Sequence, residues 1–244
     1  CYNSFRRYIQ LYLEPRTIKT RTDHRHTKSR SPICTTPSMG FLIDSPIICS
    51  RTFYTKEPLN ATVGLVSSEN DTCPELDEYC RSSLLDGLSF KAVDSNSNVV
   101  GVTISGISPT DLLAKAQSCK NPKFQKILYI LAKQSAGARL WEKYPRENSL
   151  VEIKVAATDT SWRKRGIMNA LVRKTVEAAE HKKIRLLRMD ATSAYSAMSA
   201  KRLGFTCVHK TLYTDIKMDG RPIIVPEPPH LEYRVYIKEL FACE

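Results

Sequence analysis

The chain has 244 residues, 42% of them hydrophobic and 25% charged, with a formal net charge of +12. That is length and apolar content enough for one sizeable core, and no apolar run approaches the roughly 18 residues a membrane helix needs, so no membrane partner is expected. Residues 1–39 hold eight Lys or Arg against two acids, half of the excess charge, which leaves the remainder only mildly basic and argues against a nucleic-acid-binding class.

Residues 1–39 show no clean period and are interrupted by Pro15 and the run TRTDHRHTKSRSP. We expect a basic extension, disordered or artefactual. An organelle-targeting segment and a polyanion-binding arm are the other readings, and the folded domain is expected over 41–244. The eight cysteines, at 1, 34, 49, 73, 80, 119, 207 and 243, form no CxxC pair and show no zinc spacing with histidine. A chain this long needs no disulfide staples, so reduced thiols, a cytoplasmic location and no metal are expected. The sequons at Asn60 and Asn70 are read as chance.

From Phe41 strand-like and helix-like segments alternate. Phe41–Leu65 is helical with breaks at Pro46 and Pro58. Cys73–Leu85 is a helix with Leu76, Tyr79 and Leu84 inward. Leu88–Val93 and Val99–Ile107 are strands joined by the turn DSNSN. A helix is expected over Pro109–Cys119, capped by Ser108, and another over Phe124–Glu142. Val151, Ile153 and Val155 alternate with Glu152 and Lys154, which predicts a strand with one face in a core. Ile167, Met168, Leu171, Val172, Val176 and Ala179 recur at helical spacing. Ile184–Met189 is a strand, Thr192–Leu203 a helix stopped by Gly204, and Phe205–Tyr213 and Tyr233–Lys238 are closing strands. The pattern defines an α/β (α+β) class with helices packed on a mixed sheet.

The stretch SWRKRGIMNALVRK, 161–174, follows the most regular strand directly. A helix beginning at Gly166 presents unpaired backbone N–H groups and partial positive charge, and Arg163, Lys164 and Arg165 add whole charges. A phosphate or pyrophosphate site and an ordinary turn with solvated basic side chains both satisfy this pattern. The stretch matches neither a Walker loop nor GxGxxG.

Arg163-Lys-Arg-Gly166-Ile-Met168 resembles the Arg/Gln-x-x-Gly-x-Gly/Ala signature of the GNAT superfamily of N-acetyltransferases, with Met168 departing at the last position. FYTKEPLN (53–60), DATSAYSAMSAKRLGF (190–205) and the tail from Tyr213 are similar to segments of insect arylalkylamine N-acetyltransferases, the dopamine N-acetyltransferase-like group. The resemblance spans about 41–240.

It implies a GNAT fold, a mixed twisted central sheet with helices on both faces, opening as a V that ends in Val155 and Met189. It also implies acetyl-coenzyme A as co-substrate, held by Val155, Ala156, Ala157, Arg163, Lys164, Arg165, Gly166, Ile167, Met168 and Thr192. Glu57 is the implied general base, and Ser193 and Ser196 are the implied catalytic hydroxyls. Tyr54, Tyr195 and His230 would stand around the amine. The superfamily's usual tyrosine four residues before the Gly of Leu-Gly-Phe is replaced here by Ala200. The implied reaction is direct acetyl transfer to a small arylalkylamine (dopamine, serotonin, tyramine) by a monomer. Two alternatives stand beside it. One is a superfamily member acting on a polyamine or a protein N-terminus; the other is a non-catalytic protein that binds nucleic acid through 1–39.

Overall fold

The alternating run at Val151–Val155 becomes the centre of the molecule. The computed structural model describes residues 33–35, 53–68, 71–108 and 111–242; the readings placed on 1–32 and 41–52 lie outside them. The first elements are β1 (Ile33–Thr35), α1 (Pro58–Val63), α2 (Pro74–Arg81), β2 (Phe90–Val93) and β3 (Val99–Ser108). Then come α3 (Leu112–Ser118), α4 (Pro122–Ala138), α5 (Leu140–Lys143), β4 (Leu150–Thr158), α6 (Ile167–His181) and β5 (Leu186–Ala191). The chain finishes with α7 (Ala194–Arg202), β6 (Thr206–Leu212), the small ladder β7 (Lys217–Met218) and β8 (Arg221–Pro222), and β9 (Glu232–Glu239).

Seven strands form one mixed sheet in the order β1-β2-β3-β4-β5-β9-β6. β1, inside the segment read as an extension, pairs antiparallel with β2 along its edge. Only the β4–β5 pair is parallel, as the α6 crossover between them requires. Pro32–Glu244 forms one compact unit.

Helices cover both faces. Leu76, Phe124, Ile127, Leu128 and Ile130 from α2 and α4 pack with Val155, Leu186, Tyr233 and Val235 on one face. Val172 and Ala179 of α6, with Ala197 and Ala200 of α7, pack with Val151, Ile153, Leu187 and Met189 on the other.

This corrects the expectation of a central strand with one buried face. Glu152 is only 4% exposed, because α4 roofs the face it points to. The alternation also breaks. Ile104 pairs with Val155 and Ser105 with Ile153, so Lys154 is an extra residue, a β-bulge. Val151 and Ile153 therefore face α6 and α7, whereas Val155 and Ala157 join the opposite core.

Other differences are local. Pro58 starts α1 rather than breaking it, since its missing N–H costs nothing at the first helical position. The cap of α3 is Asp111, whose carboxylate accepts the Ala114 N–H at 2.8 Å, not Ser108, which ends β3. The long helix expected to run to Glu142 stops at Arg139, which adopts a left-handed φ of 49° and divides α4 from α5. Asn60 is buried and donates to the Phe53 carbonyl at 3.1 Å, so it cannot carry a glycan in this fold.

Candidate active site

The sheet opens at its middle. β4 and β5 pair through Val151–Leu187, Glu152–Arg188 and Ile153–Met189, and no further. β4 stays paired with β3 as far as Thr158, and β5 with β9 as far as Ala191. The two central strands thus diverge into a V beyond Ile153 and Met189, leaving the Val155–Ala157 backbone unpaired on the edge that faces β5.

The β4 arm leads into the basic turn. A short 3-10 helix, Thr160–Trp162, is capped by Asp159, and α6 follows with Gly166 as its N-cap at φ 77°. No side chain caps α6, so the N–H groups of its first turn point outward unpaired. A Cβ at Gly166 would meet nothing within 4 Å, so this position is open, and its left-handed backbone favours glycine. Arg165 stacks on Trp162 at 4.6 Å. The Ile167 side chain is core, 2.8 Å from where a Cβ on Gly101 would sit, so only its backbone faces the turn. These residues fit an anionic group such as a pyrophosphate: uncapped amides, three cations and no obstructing side chain.

The β5 arm leads to the carboxylate. Glu57 is the N-cap of α1, with Oε2 accepting the Asn60 N–H at 2.8 Å. Its other oxygen, Oε1, is shut off from solvent without a hydrogen-bond partner. Burial raises its pKa above the ordinary carboxylate value. The Asn60 N–H, the Thr192 hydroxyl and the Leu59 N–H oppose that shift and are outweighed. Thr192, placed by resemblance with the cofactor residues, therefore stands against Glu57 rather than at the α6 turn. Lys56, one residue before the base, reaches the other way, its Nζ 3.5 Å from Thr160 Oγ1.

Ser193 and Ser196 form a reciprocal capping box at the start of α7. Ser193 Oγ accepts the Ser196 N–H at 2.9 Å, Ser196 Oγ accepts the Ser193 N–H at 3.1 Å, and the two hydroxyls are 2.9 Å apart. His230, just after the cis Pro228–Pro229 bond, accepts the Ala194 N–H on Nδ1 at 3.2 Å. That bond assigns the neutral ring's proton to Nε2, and burial lowers its pKa. Tyr195 meets the His230 ring edge-on at 5.5 Å but is 62% exposed. Tyr54 is core, its hydroxyl bonded to Asp77.

Two features have no counterpart in the sequence reading. On the α4 face, Arg188 is 2% exposed and donates twice to Asp190, with Nε–Oδ1 at 2.7 Å and Nη2–Oδ2 at 2.6 Å, and once to Ser135 Oγ at 2.9 Å. Tyr233 also donates to Asp190 Oδ2, at 2.6 Å. Glu152 lies beside them; burial raises its pKa and Arg188 pulls it back. The second is Tyr213, buried beside Glu57. The signal available was a charge at every second position of LLRMDA and VEIKV, which reads as a solvated face unless both faces are known to be covered. Clefts of about 250 and 270 Å³ lie under α4–α5 and beside α7, and neither includes Glu57; the carboxylate stands at an open V, not in a closed cavity. Among the described residues no group of three or more His, Cys, Asp or Glu could hold a metal, and no helix is long and apolar enough to cross a membrane.

No family model matches the chain. Among solved structures, arylalkylamine N-acetyltransferase 2 from Aedes aegypti is 26% identical, covering 87% of this chain and all of that one, with a TM-score of 0.80. A mosquito arylalkylamine N-acetyltransferase like 5b is 20% identical over 86% of this chain and 100% of that one (TM-score 0.77). The Drosophila melanogaster polyamine N-acetyltransferase that forms N-acetylagmatine is 20% identical over 85% and 99% (0.76). A mixed sheet split between its parallel central strands, with an uncapped helix at one arm, defines a GNAT-type acyltransferase fold. Within it, this chain belongs with the arylalkylamine N-acetyltransferase-like proteins and related GNAT acetyltransferases.

Proposed function

We propose that the chain transfers an acetyl group from acetyl-coenzyme A to the primary amine of a small arylalkylamine of the dopamine, serotonin or tyramine kind, as a cytoplasmic monomer built on residues 41–244. The observation that carries the proposal is the Glu57 carboxylate, buried at the end of the β5 arm with one oxygen unsatisfied. An alkylamine has a pKa of about 10 and arrives protonated, whereas only the neutral amine attacks a thioester. An unsatisfied carboxylate attracts the ammonium ion and accepts its proton.

Acetyl-coenzyme A supplies the activated acyl thioester. The α6 amides beyond Gly166, with Arg163, Lys164 and Arg165, would hold its pyrophosphate, and the unpaired Val155–Ala157 edge would pair with its amide-bearing arm. On the other arm Glu57 takes the amine's proton, directly or through water. The nitrogen forms its bond to the acetyl carbon, the C–S bond breaks, and the leaving thiolate takes a proton from the Ser193–Ser196 hydroxyl pair. His230, with Nε2–H outward, and Tyr195 border the entrance. Two arylalkylamine N-acetyltransferases among the structural neighbours support this substrate class. The polyamine neighbour supports agmatine-like amines as a second reading.

The test is acetyl-coenzyme A turnover against arylalkylamines, agmatine and a peptide N-terminus. A higher kcat/KM for an arylalkylamine supports the proposal. Turnover of agmatine alone would replace the substrate class, and turnover of no amine would sink the enzymatic reading.

A further inference from the structure

Tyr213 opens the 3-10 turn Tyr213–Asp215 that follows β6, and its side chain is 1% exposed. Three separate parts of the site meet on it. Its hydroxyl donates to the Thr192 carbonyl at 2.8 Å. Its backbone N–H donates to the Leu231 carbonyl at 3.1 Å, fixing the segment next to His230. Its phenol lies close enough to Glu57 and Asp190 that both charges disfavour its ionisation, which burial already opposes. The ring is held edge-on against Tyr233 at 6.3 Å, and Tyr233 is bonded to Asp190.

Thr192 needs such an anchor. β5 and β9 pair through Ala191–Arg234 and stop, so the Thr192 peptide lies just past the end of the ladder. A buried carbonyl there has to find a donor, and Tyr213 supplies it. Fixing that peptide fixes the direction of the Thr192 side chain, whose hydroxyl faces Glu57.

We propose that Tyr213 is a positioning residue for the base: through the Thr192 carbonyl it sets the Thr192 hydroxyl against the Glu57 carboxyl. The proposal rests on the reading of Glu57 as the base. The groups acting on Glu57 are the Asn60 and Leu59 amides of its own helix, the Thr192 hydroxyl from the end of β5, and Tyr213 from the turn after β6, with Asp190 and Tyr233 behind Tyr213. Of these, the Thr192 hydroxyl favours the charged carboxylate. Misplacing it leaves burial less opposed, and the carboxyl holds its proton to higher pH.

The experiment is the pH profile of kcat/KM for Tyr213→Phe, Thr192→Val, the double variant and Thr192→Ser, with Glu57→Gln alongside. The acidic limb should move to higher pH in Tyr213→Phe and in Thr192→Val, by the same amount in the double variant, and not at all in Thr192→Ser. KM for acetyl-coenzyme A should stay unchanged throughout. An unmoved limb in Tyr213→Phe, or additive shifts in the double variant, would overturn the proposal while a dead Glu57→Gln left the base reading standing. A fully active Glu57→Gln would overturn both. If Tyr213→Phe does not fold, the Thr192→Val and Thr192→Ser pair decides: an unmoved limb in Thr192→Val, or a moved one in Thr192→Ser, rejects it.

Discussion

Replacing Glu57 by glutamine should make the protein more stable and less active at once. One oxygen of Glu57 is buried without a hydrogen bond, and burial raises its pKa above the ordinary 4.5. With the folded pKa above the unfolded one, the native state holds this proton longer than the unfolded chain. Stability is therefore greatest below about pH 4.5, falls as pH rises from there to the folded pKa, and stays lower above it. Glutamine is neutral throughout and keeps an oxygen for the Asn60 N–H, so the α1 cap survives. Relieving a buried, unsatisfied charged oxygen contributes on the order of 1–3 kcal/mol. The new amide, itself short of an acceptor, brings this toward about 1 kcal/mol, or about 2–4 °C in melting temperature for a chain of this size. The rate should fall by about 10²–10⁴. Alanine loses the cap as well, costing about 1 kcal/mol and cancelling the gain. Thermal melts at pH 8 and pH 4 with kcat/KM at each pH measure all of this. A Glu57→Gln protein that melts lower at pH 8, or whose advantage persists at pH 4, would refute the reasoning.

Gly166→Ala should fold, since its Cβ enters open space, at a cost of about 1–2 kcal/mol for the left-handed backbone. Its KM for acetyl-coenzyme A should rise about tenfold with kcat nearly unchanged, read by steady-state kinetics. Asp190→Asn leaves Arg188 without its charge partner and should cost about 3–5 kcal/mol, visible in urea unfolding. Ser196→Ala removes half of the capping box, about 0.5–2 kcal/mol. A loss in kcat of tenfold or more would accompany it if that hydroxyl supplies the thiolate's proton, and an unchanged kcat would leave Ser196 a cap alone.

The sequence was most legible where one interaction dominates. Ile167, Leu171, Val172 and Ala179 all turn inward on α6, because a helix against a sheet buries one stripe whatever surrounds it. The opening of the sheet fell close to where the resemblance put it, with Ile153–Met189 its last rung. Legibility failed where neighbours decide. Glu152 and Arg188 look solvated in their strands and are buried because α4, contributed from elsewhere in the chain, lies over them. Ser108 was a plausible cap, but Asp111 lies nearer the first turn and accepts its N–H. Tyr213 ended an apolar strand and carried no motif; its hydrogen bond to Thr192 exists only once β6 folds back beside β9.

The extra residue at Lys154 acts on the pleat as a frameshift acts on a coding sequence. Everything before it is read on one face and everything after it on the other, so Val151 and Ile153 serve the α6–α7 side and Val155 and Ala157 the opposite side. Substitutions along this strand act one side chain at a time, whereas deleting one residue here would exchange the two faces for the rest of the strand. The unpaired rim of the opening would then present different residues, and the small Ala156 would trade places with Val155. Length between Ile153 and the Gly166 turn, more than the identity of any one residue in it, is what the lineage of this fold is free to change least.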